Sequence, residues 1–182
     1  LEPEILTELL THYLTEMSKV AIRWGGTIDK FIGDAVLIFF GDPHTNGEKN
    51  DALNCIEMAI RMQKRVKELQ KHIIKLGVPS GIQIRMGITS GYCTVGNFGS
   101  DQRMDYTVLG SPVNLAARLQ GIAEPNKILI DEKTKGLVER EVKCKYVDEI
   151  TPKGFMRPVK VFEVNDFKDQ HHKRSRRNLS LT

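Results

Sequence analysis

Residues 105–118 read DYTVLGSPVNLAAR. The first five residues of this stretch predict an apolar strand, which breaks at Gly110. Ser111 is a suitable N-cap and Pro112 suits the first turn of a helix, so a short helix is predicted to run to about Ile122. The stretch therefore predicts a strand, a glycine turn and a helix that carries an Asn and an Arg one turn apart.

Upstream of this stretch, apolar residues recur at helical spacing and predict an amphipathic helix that ends near residues 25–26. Two strand-like runs follow, at residues 27–32 and 35–40, with Gly33-Asp34 as the tight reversal of a hairpin. Further predicted elements are a helix from about residue 51 to residue 76, a half-buried strand at 82–88, a turn-rich return before residue 105, and strands at 127–130 and 159–164.

This order of helices and strands predicts an α+β fold with helices packed on one face of a largely antiparallel sheet. The 182 residues are 40% hydrophobic, which fits one globular domain with a real core. No apolar run approaches the roughly 18 to 20 residues that a membrane helix needs. We expect a domain at residues 1–166, incomplete at its N-terminus because residue 1 is Leu, and a basic, disordered tail at residues 167–182.

The formal net charge of +4 is concentrated at the end of the chain. Residues 168–182 hold five basic residues and one acidic residue, so the preceding residues balance to zero. A neutral body argues against a nucleic-acid-binding face on the domain. Three widely spaced cysteines without metal-site or disulfide spacing indicate a reducing compartment, and we expect them to serve as packing residues of a cytoplasmic domain whose full-length protein could be membrane-tethered.

Residues 30–34, KFIGD, together with residues 105–118 resemble the catalytic domain of the class III adenylyl and guanylyl cyclases, and in particular the bacterial-type adenylyl cyclases. The resemblance extends from the first helix to about Val164. It implies a ferredoxin-like βαββαβ fold and an enzyme that converts ATP into 3′,5′-cyclic AMP and pyrophosphate by attack of the ribose 3′-hydroxyl on the α-phosphate.

In the resembled family, the Asp of the Gly-Asp pair is one of two metal-binding aspartates, and Asp34 takes this position. A hard carboxylate ligand suits Mg²⁺ or Mn²⁺, two ions per site in the family pattern, although turn chemistry alone also explains a Gly-Asp hairpin tip. The second metal aspartate belongs to a first strand that we expect upstream of Leu1. Neither Asp29 nor Asp42 fits that first-strand pattern.

The resemblance further implies that Lys30 and Thr107 bind the adenine base. A Lys ammonium is a donor that suits the unprotonated N1 of adenine, while Thr107 can accept from the 6-amino group. Guanylyl cyclases typically place Glu and Cys at these two positions, which favours ATP over GTP here. In an extended strand Lys30 and Asp34 would project to the same side, roughly 13 Å apart. The alternative is that Lys30 is an ordinary surface residue.

Asn114 and Arg118 are spaced i and i+4 and share one helix face. In the family pattern the Asn orients the ribose and the Arg stabilises the transition-state charge on the α-phosphate. The planar guanidinium suits this role because it donates several hydrogen bonds to phosphate oxygens and keeps its charge. A polar surface helix is the alternative for this pair taken alone.

The family resemblance also implies a homodimer whose sites are shared between protomers, and a regulatory or sensor domain upstream in the full protein. Metal aspartates would come from one protomer, and Lys30, Thr107, Asn114 and Arg118 from the other. Three alternatives remain: a non-catalytic cyclase-like domain that binds nucleotide or dimerises, a guanylyl cyclase, and an RNA-binding module, which lacks the expected stacking aromatics.

Overall fold

A computed structural model describes residues 2–168. The elements are α1 Pro3–Arg23, β1 Thr27–Ile32, β2 Ala35–Phe39, α2 Glu48–Lys75, β3 Met86–Ile88, β4 Thr94–Ser100, β5 Arg103–Leu109, α3 Ser111–Ile122, β6 Ile128–Asp131, α4 Glu132–Val138, β7 Val142–Ile150 and β8 Val159–Phe167. Strand β8 extends one residue beyond the predicted domain boundary at residue 166. The predicted tail otherwise falls almost wholly on residues 169–182, outside the described residues.

The strands form three sheets. The largest has the order β3-β6-β8-β7, in which β3 and β6 are parallel and the other pairs are antiparallel. The β1–β2 hairpin and the β4–β5 hairpin are separate two-stranded antiparallel sheets. The largely antiparallel pairing predicted from the sequence is therefore present, but the two hairpins carry ladders of their own.

Helices cover both faces of the four-stranded sheet, so the prediction that they pack on one face was wrong. All four residues of β6 are buried, and successive side chains of a strand point to opposite faces. Ile128 and Ile130 join the core cluster that includes α2, whereas Leu129 joins the cluster with Leu115 and Leu119 of α3. Strand β6 is thus a central strand between two helical layers.

Helix α1 packs across α2 and completes a third cluster. Met17 and Ala21 of α1 contact Met58, Met62 and Val66 of α2 in this cluster, which continues to the apolar residues of the β1–β2 hairpin. Only residues 24–26 connect the end of α1 to the start of β1. The packing of α1 on α2 therefore fixes where the hairpin begins.

The strand predicted at residues 82–88 is shorter in the structure. Only Met86–Ile88 forms a ladder, because Ile82 hydrogen-bonds a side chain instead of another strand. The Ile82 N–H donates to Gln70 Oε1 over 3.1 Å, and Gln70 Nε2 donates to the Ile82 carbonyl over 2.6 Å. A glutamine of α2 thus satisfies the backbone that the alternating pattern assigned to a strand.

Candidate active site

The β1–β2 hairpin carries Lys30 and Asp34 as predicted, but in a different geometry. Strand β1 ends at Ile32 and Asp34 lies exposed in the turn, so the two side chains do not share the face of one extended strand. The expectation that they project to the same side of a strand was therefore wrong. The Lys30 side chain is 46% exposed and points its ammonium towards the carboxylate of Asp29.

Asp29 lies at a β-bulge in this hairpin. Ile28 pairs with Ile38 and Lys30 with Leu37, so Asp29 has no partner across the ladder. Bulges re-aim side chains, and here the Asp29 side chain is 1% exposed and reaches strand β5. Its Oδ2 accepts hydrogen bonds from the Thr107 hydroxyl at 2.7 Å and from the Val108 N–H at 2.9 Å.

One carboxylate therefore joins two of the predicted site residues. While Oδ2 binds Thr107, Oδ1 lies 3.6 Å from Lys30 Nζ. From the sequence, Asp29 is considered only as a metal ligand, one that does not fit the first-strand pattern. The sequence offers no signal for this contact, because a bulge leaves no mark in the pattern of residues.

A second carboxylate ties the two hairpins together. The Tyr106 hydroxyl donates to Asp42, which follows β2, and this hydrogen bond raises the pKa of Tyr106 above its ordinary value. Thr107, the next residue, has only 5% of its surface exposed. Strand β5 is thus held against the first hairpin through side chains at two neighbouring positions.

Helix α3 begins directly after β5 and follows the predicted bounds. Gly110 is the N-cap, at a φ of 152° that favours glycine, so the prediction of Ser111 as the N-cap was wrong and Ser111 is the first helical residue. Asn114 and Arg118 are both exposed, on a face next to the one that buries Leu115 and Leu119.

The close approach of α3 to β3 depends on Gly87. A Cβ at this position would lie 2.2 Å from the Ala116 carbonyl oxygen and 2.5 Å from the Gln120 nitrogen, both of them backbone atoms of α3. Such distances are far inside van der Waals contact, so α3 can pack here only against a glycine. Gly87 therefore sets the position of the helix that carries Asn114 and Arg118.

The five predicted site residues are brought together only in part. Lys30 and Thr107 share Asp29, and Asn114 and Arg118 share a face of the helix that follows Thr107 in the chain. Within residues 2–168, Asp34 and Arg118 form no side-chain hydrogen bond or ion pair. No group of three or more metal-ligating side chains lies in the part of the chain that the structure describes.

Two of the three cysteines pack as predicted. Cys55 contacts two core clusters, and burial raises the pKa of its thiol to about 12. Cys144 packs at the edge of the cluster around α2, and all three thiols are free. Cys93 is exposed beside Gly110, so the prediction that it is a packing residue was wrong. None of the helices in residues 2–168 has the length and apolar character needed to cross a membrane.

The sequence matches the adenylate and guanylate cyclase catalytic domain family over residues 1–166, and the chain belongs to this family. The crystal structure of the adenylyl cyclase CyaB from P. aeruginosa is 50% identical, covers 93% of this chain and 86% of that chain, and superposes with a TM-score of 0.89. The guanylyl cyclase Cya2 is 31% identical in sequence, and its crystal structure covers 93% of this chain and 84% of that chain with a TM-score of 0.86.

Among curated proteins, an adenylate cyclase of Anabaena cylindrica is 33% identical over 162 residues, which are 82% of this chain and 32% of the relative. The terminal-differentiation-specific adenylate cyclase of Dictyostelium discoideum is 34% identical over 147 residues, which are 78% of this chain and 7% of the relative. The chain thus spans a third or less of these two relatives. The predicted class III cyclase domain and its α+β cyclase fold are confirmed; the roles of the individual site residues stay predictions.

Proposed function

We propose that this domain is an adenylyl cyclase, which converts ATP into 3′,5′-cyclic AMP and pyrophosphate. The oxygen of the ribose 3′-hydroxyl attacks the α-phosphorus, and the bond from that phosphorus to the oxygen bridging to the β-phosphate breaks. Pyrophosphate leaves with the bridging oxygen, and the hydroxyl proton is released to water. The observation that carries the proposal is that Lys30 and Thr107 both contact the one carboxylate of Asp29. The similarity to adenylyl cyclases supports it.

Base selection follows from hydrogen-bond chemistry. Adenine offers an unprotonated N1 and a donating 6-amino group, which match the Lys30 ammonium and the Thr107 hydroxyl oxygen. Guanine carries a proton on N1 and an acceptor at position 6, so donor would face donor and acceptor would face acceptor. A desolvated mismatch of this kind is a strong basis for discrimination between nucleotides.

Asn114 and Arg118 act on the sugar and the α-phosphate. They lie on one exposed face of α3, where neither side chain has a competing hydrogen bond or ion pair within residues 2–168. Asn114 orients the ribose through its amide. The Arg118 guanidinium donates to the oxygens of the α-phosphate and stabilises the charge that builds up as the leaving oxygen departs.

Divalent cations are general to this family, and a carboxylate oxygen is the ligand that Mg²⁺ and Mn²⁺ prefer. Asp34 fits as one ligand because its side chain is exposed at a hairpin tip. No group of three or more metal-ligating side chains lies within residues 2–168, so Asp34 is the one ligand that we assign there. When bound, the ions would neutralise the triphosphate and acidify the 3′-hydroxyl.

A homodimer with shared active sites is part of the proposal. Large apolar side chains are exposed on the same two hairpins that carry the base-binding residues, and exposed apolar patches mark interaction surfaces. Phe31, Ile32, Met104, Tyr106 and Leu109 are between 46% and 59% exposed. A twofold dimer over these hairpins would form two equivalent sites, and an upstream regulatory domain could control the pairing.

The second candidate function is a non-catalytic cyclase-like domain that binds nucleotide. The observation that favours it is that residues 2–168 contain no group of three or more metal-ligating side chains. A guanylyl cyclase is opposed by Lys30 and Thr107, since donor and acceptor there match adenine.

The deciding experiment measures cyclic AMP from ATP and cyclic GMP from GTP by the full-length protein, with Mn²⁺ and with Mg²⁺. Cyclic AMP in excess of cyclic GMP supports the adenylyl cyclase. Binding of ATP without either product supports the non-catalytic domain. Predominant cyclic GMP overturns the assignment of the base-binding pair.

A further inference from the structure

Asp29 has a role that extends the proposed function and rests on it. The bulge at this residue removes it from the β1–β2 ladder and directs its side chain into the gap between β1 and β5. There it is 1% exposed, beside a Thr107 that is 5% exposed. A nucleotide can therefore reach Thr107 only over a small area. The direction of the Thr107 hydroxyl decides whether a bound base meets a hydrogen-bond donor or an acceptor there.

The hydrogen-bond inventory around Asp29 fixes that direction. A carboxylate is an acceptor only, and the backbone N–H of Val108 is a donor only. Thr107 has one hydroxyl hydrogen, and at 2.7 Å it is donated to Asp29 Oδ2. The lone pairs that remain on the Thr107 oxygen can only accept, so the group presented to a bound base is an acceptor.

The same carboxylate also attracts a donor. Asp29 Oδ1 lies 3.6 Å from Lys30 Nζ, and the attraction draws the ammonium towards the carboxylate that Thr107 also contacts. The acceptor on Thr107 and the donor on Lys30 complement the 6-amino group and N1 of adenine. The pair is mismatched with the position-6 oxygen and the N1 proton of guanine at both points.

We infer that Asp29 is a positioning residue that sets the preference for adenine over guanine, by holding the Thr107 hydroxyl as an acceptor and Lys30 as its neighbouring donor. Without Asp29 the Thr107 hydroxyl can rotate and donate to the guanine oxygen. The carboxylate need not touch the nucleotide for this effect.

The test compares kcat/KM for ATP with kcat/KM for GTP in the full-length protein and its variants. Asp29→Ala is expected to lower the ATP-to-GTP ratio by about tenfold or more, mainly through a higher KM for ATP. Asp29→Asn can still accept from Thr107 and Val108 but no longer attracts Lys30, so its loss should be smaller. Asp101→Ala removes an exposed aspartate from the β4–β5 turn and should leave the ratio unchanged.

A double-mutant cycle separates this role from a purely structural one. In a Thr107→Val background the hydroxyl is gone, so Asp29→Ala should change the ratio much less than it does in the wild type. Thr107→Ser keeps a hydroxyl and should preserve the effect of Asp29. A folded Asp29→Ala protein with the wild-type ratio, or an equal loss in the Thr107→Val background, overturns the inference.

The test also has a defined result if Asp29→Ala does not fold or if the wild type makes no cyclic AMP. If circular dichroism shows that Asp29→Ala does not fold, Asp29→Asn decides: a threefold or larger loss of the ratio supports the inference, and an unchanged ratio overturns it. If the wild type makes no cyclic AMP, the proposed function fails, and the ratio of equilibrium dissociation constants for ATP and GTP replaces the kinetic ratio in the same comparisons.

Discussion

Gly87 of strand β3 lies directly against Ala116 of helix α3, so closely that a Cβ on Gly87 would come within 2.2 Å of the Ala116 carbonyl oxygen. Since that atom belongs to the helix backbone, no side-chain rotation can relieve the contact. Asn114 and Arg118 lie on the far side of the same helix. The location of two predicted active-site residues thus depends on a glycine that has no chemistry of its own.

We predict that Gly87→Ala displaces α3, lowers the unfolding free energy by about 1–3 kcal/mol and reduces cyclase activity strongly. Thermal unfolding and turnover of the same preparation provide the measurement. Gly136→Ala in helix α4 is the control, because a Cβ there meets nothing within 4 Å. Wild-type stability and activity in the Gly87 variant would contradict the packing described for β3 and α3.

Arg118→Ala is expected to lower kcat by about 10²–10³-fold while KM for ATP changes little, because the guanidinium acts on charge that develops in the transition state. Arg118→Lys keeps the charge but loses the planar guanidinium, so its kcat should lie between those of the wild type and of Arg118→Ala. Arg157→Ala, at another exposed arginine, serves as the control. A change in KM alone would assign Arg118 to substrate binding instead.

Mixed dimers test whether sites are shared. Asp34→Ala and Arg118→Ala should each be strongly impaired alone, but co-expression should recover about a quarter of the wild-type activity, since half of randomly assembled dimers are mixed and each holds one intact site. Two differently tagged copies of Asp34→Ala, purified as the mixed species, are the control. Absence of any recovery in verified mixed dimers would contradict the shared site.

The stability of the contact between α1 and α2 should depend on pH. Glu16 accepts hydrogen bonds from Lys19 at 2.8 Å and from Arg65 of α2 at 2.7 Å, and both lower its pKa below the ordinary 4.5. A lowered pKa in the folded state adds stability above pH 4.5, and this stability is lost as the pH falls through the pKa of the folded protein. Acidification should therefore weaken this helix pair.

Glu16→Gln should accordingly lower Tm by about 2 °C at pH 7, and the difference from wild type should shrink towards zero in acid. Thermal unfolding between neutral and acid pH measures it. Glu68→Gln, at a more exposed partner of the same Arg65, should have a smaller effect. A Tm difference that stays constant with pH would show that Glu16 contributes through packing alone.

Thiol labelling should distinguish the three cysteines. We expect Cys93 to react in the folded protein, and Cys55 only after unfolding, because burial raises the pKa of Cys55 to about 12 and leaves almost no thiolate at neutral pH. Rates of reaction with a disulfide reagent, measured on variants that keep one cysteine each, test this order. Labelling of Cys55 at the rate of Cys93 would show that the core around α2 opens readily.

The sequence predicted most of the local elements well, because their signals are local, whereas the roles of the motif residues stay predictions. Helical spacing predicts α1 and α2, and a glycine followed by Ser111-Pro112 predicts the start of α3 to within a residue. Strand β4 was missed because its Gly96 and Gly99 suggest turns, whereas in the structure Gly96 pairs with Thr107 and Gly99 with Met104. Glycines are permissive as well as turn-forming, so their presence alone does not exclude a ladder.

Asp29 shows why a site cannot be completed from pattern alone. A bulge shifts the alternation of a strand by one residue and leaves no mark in the sequence, so the face on which Asp29 lies is decided by pairing across the hairpin. Its partners Thr107 and Val108 are more than 75 residues away in the chain. Such contacts emerge only when two hairpins meet.

Helix α4 could have been predicted, since Asp131 is a strong N-cap. Its Oδ1 accepts from the Thr134 N–H at 3.1 Å, and an Asp followed three residues later by Thr is a recognisable start of a helix.

The link between α1 and β1 is only three residues long, so a rotation of the first helix is passed on to the strand that follows it. A rotation of α1 about its own axis can be absorbed only in residues 24–26, in the contact with α2, or in the strand that carries Asp29 and Lys30. The β1–β2 hairpin has no ladder to the four-stranded sheet to resist the torque. Twisting this helix by even part of a turn would thus be transmitted to Asp29 and Lys30, which we propose take part in the choice of purine.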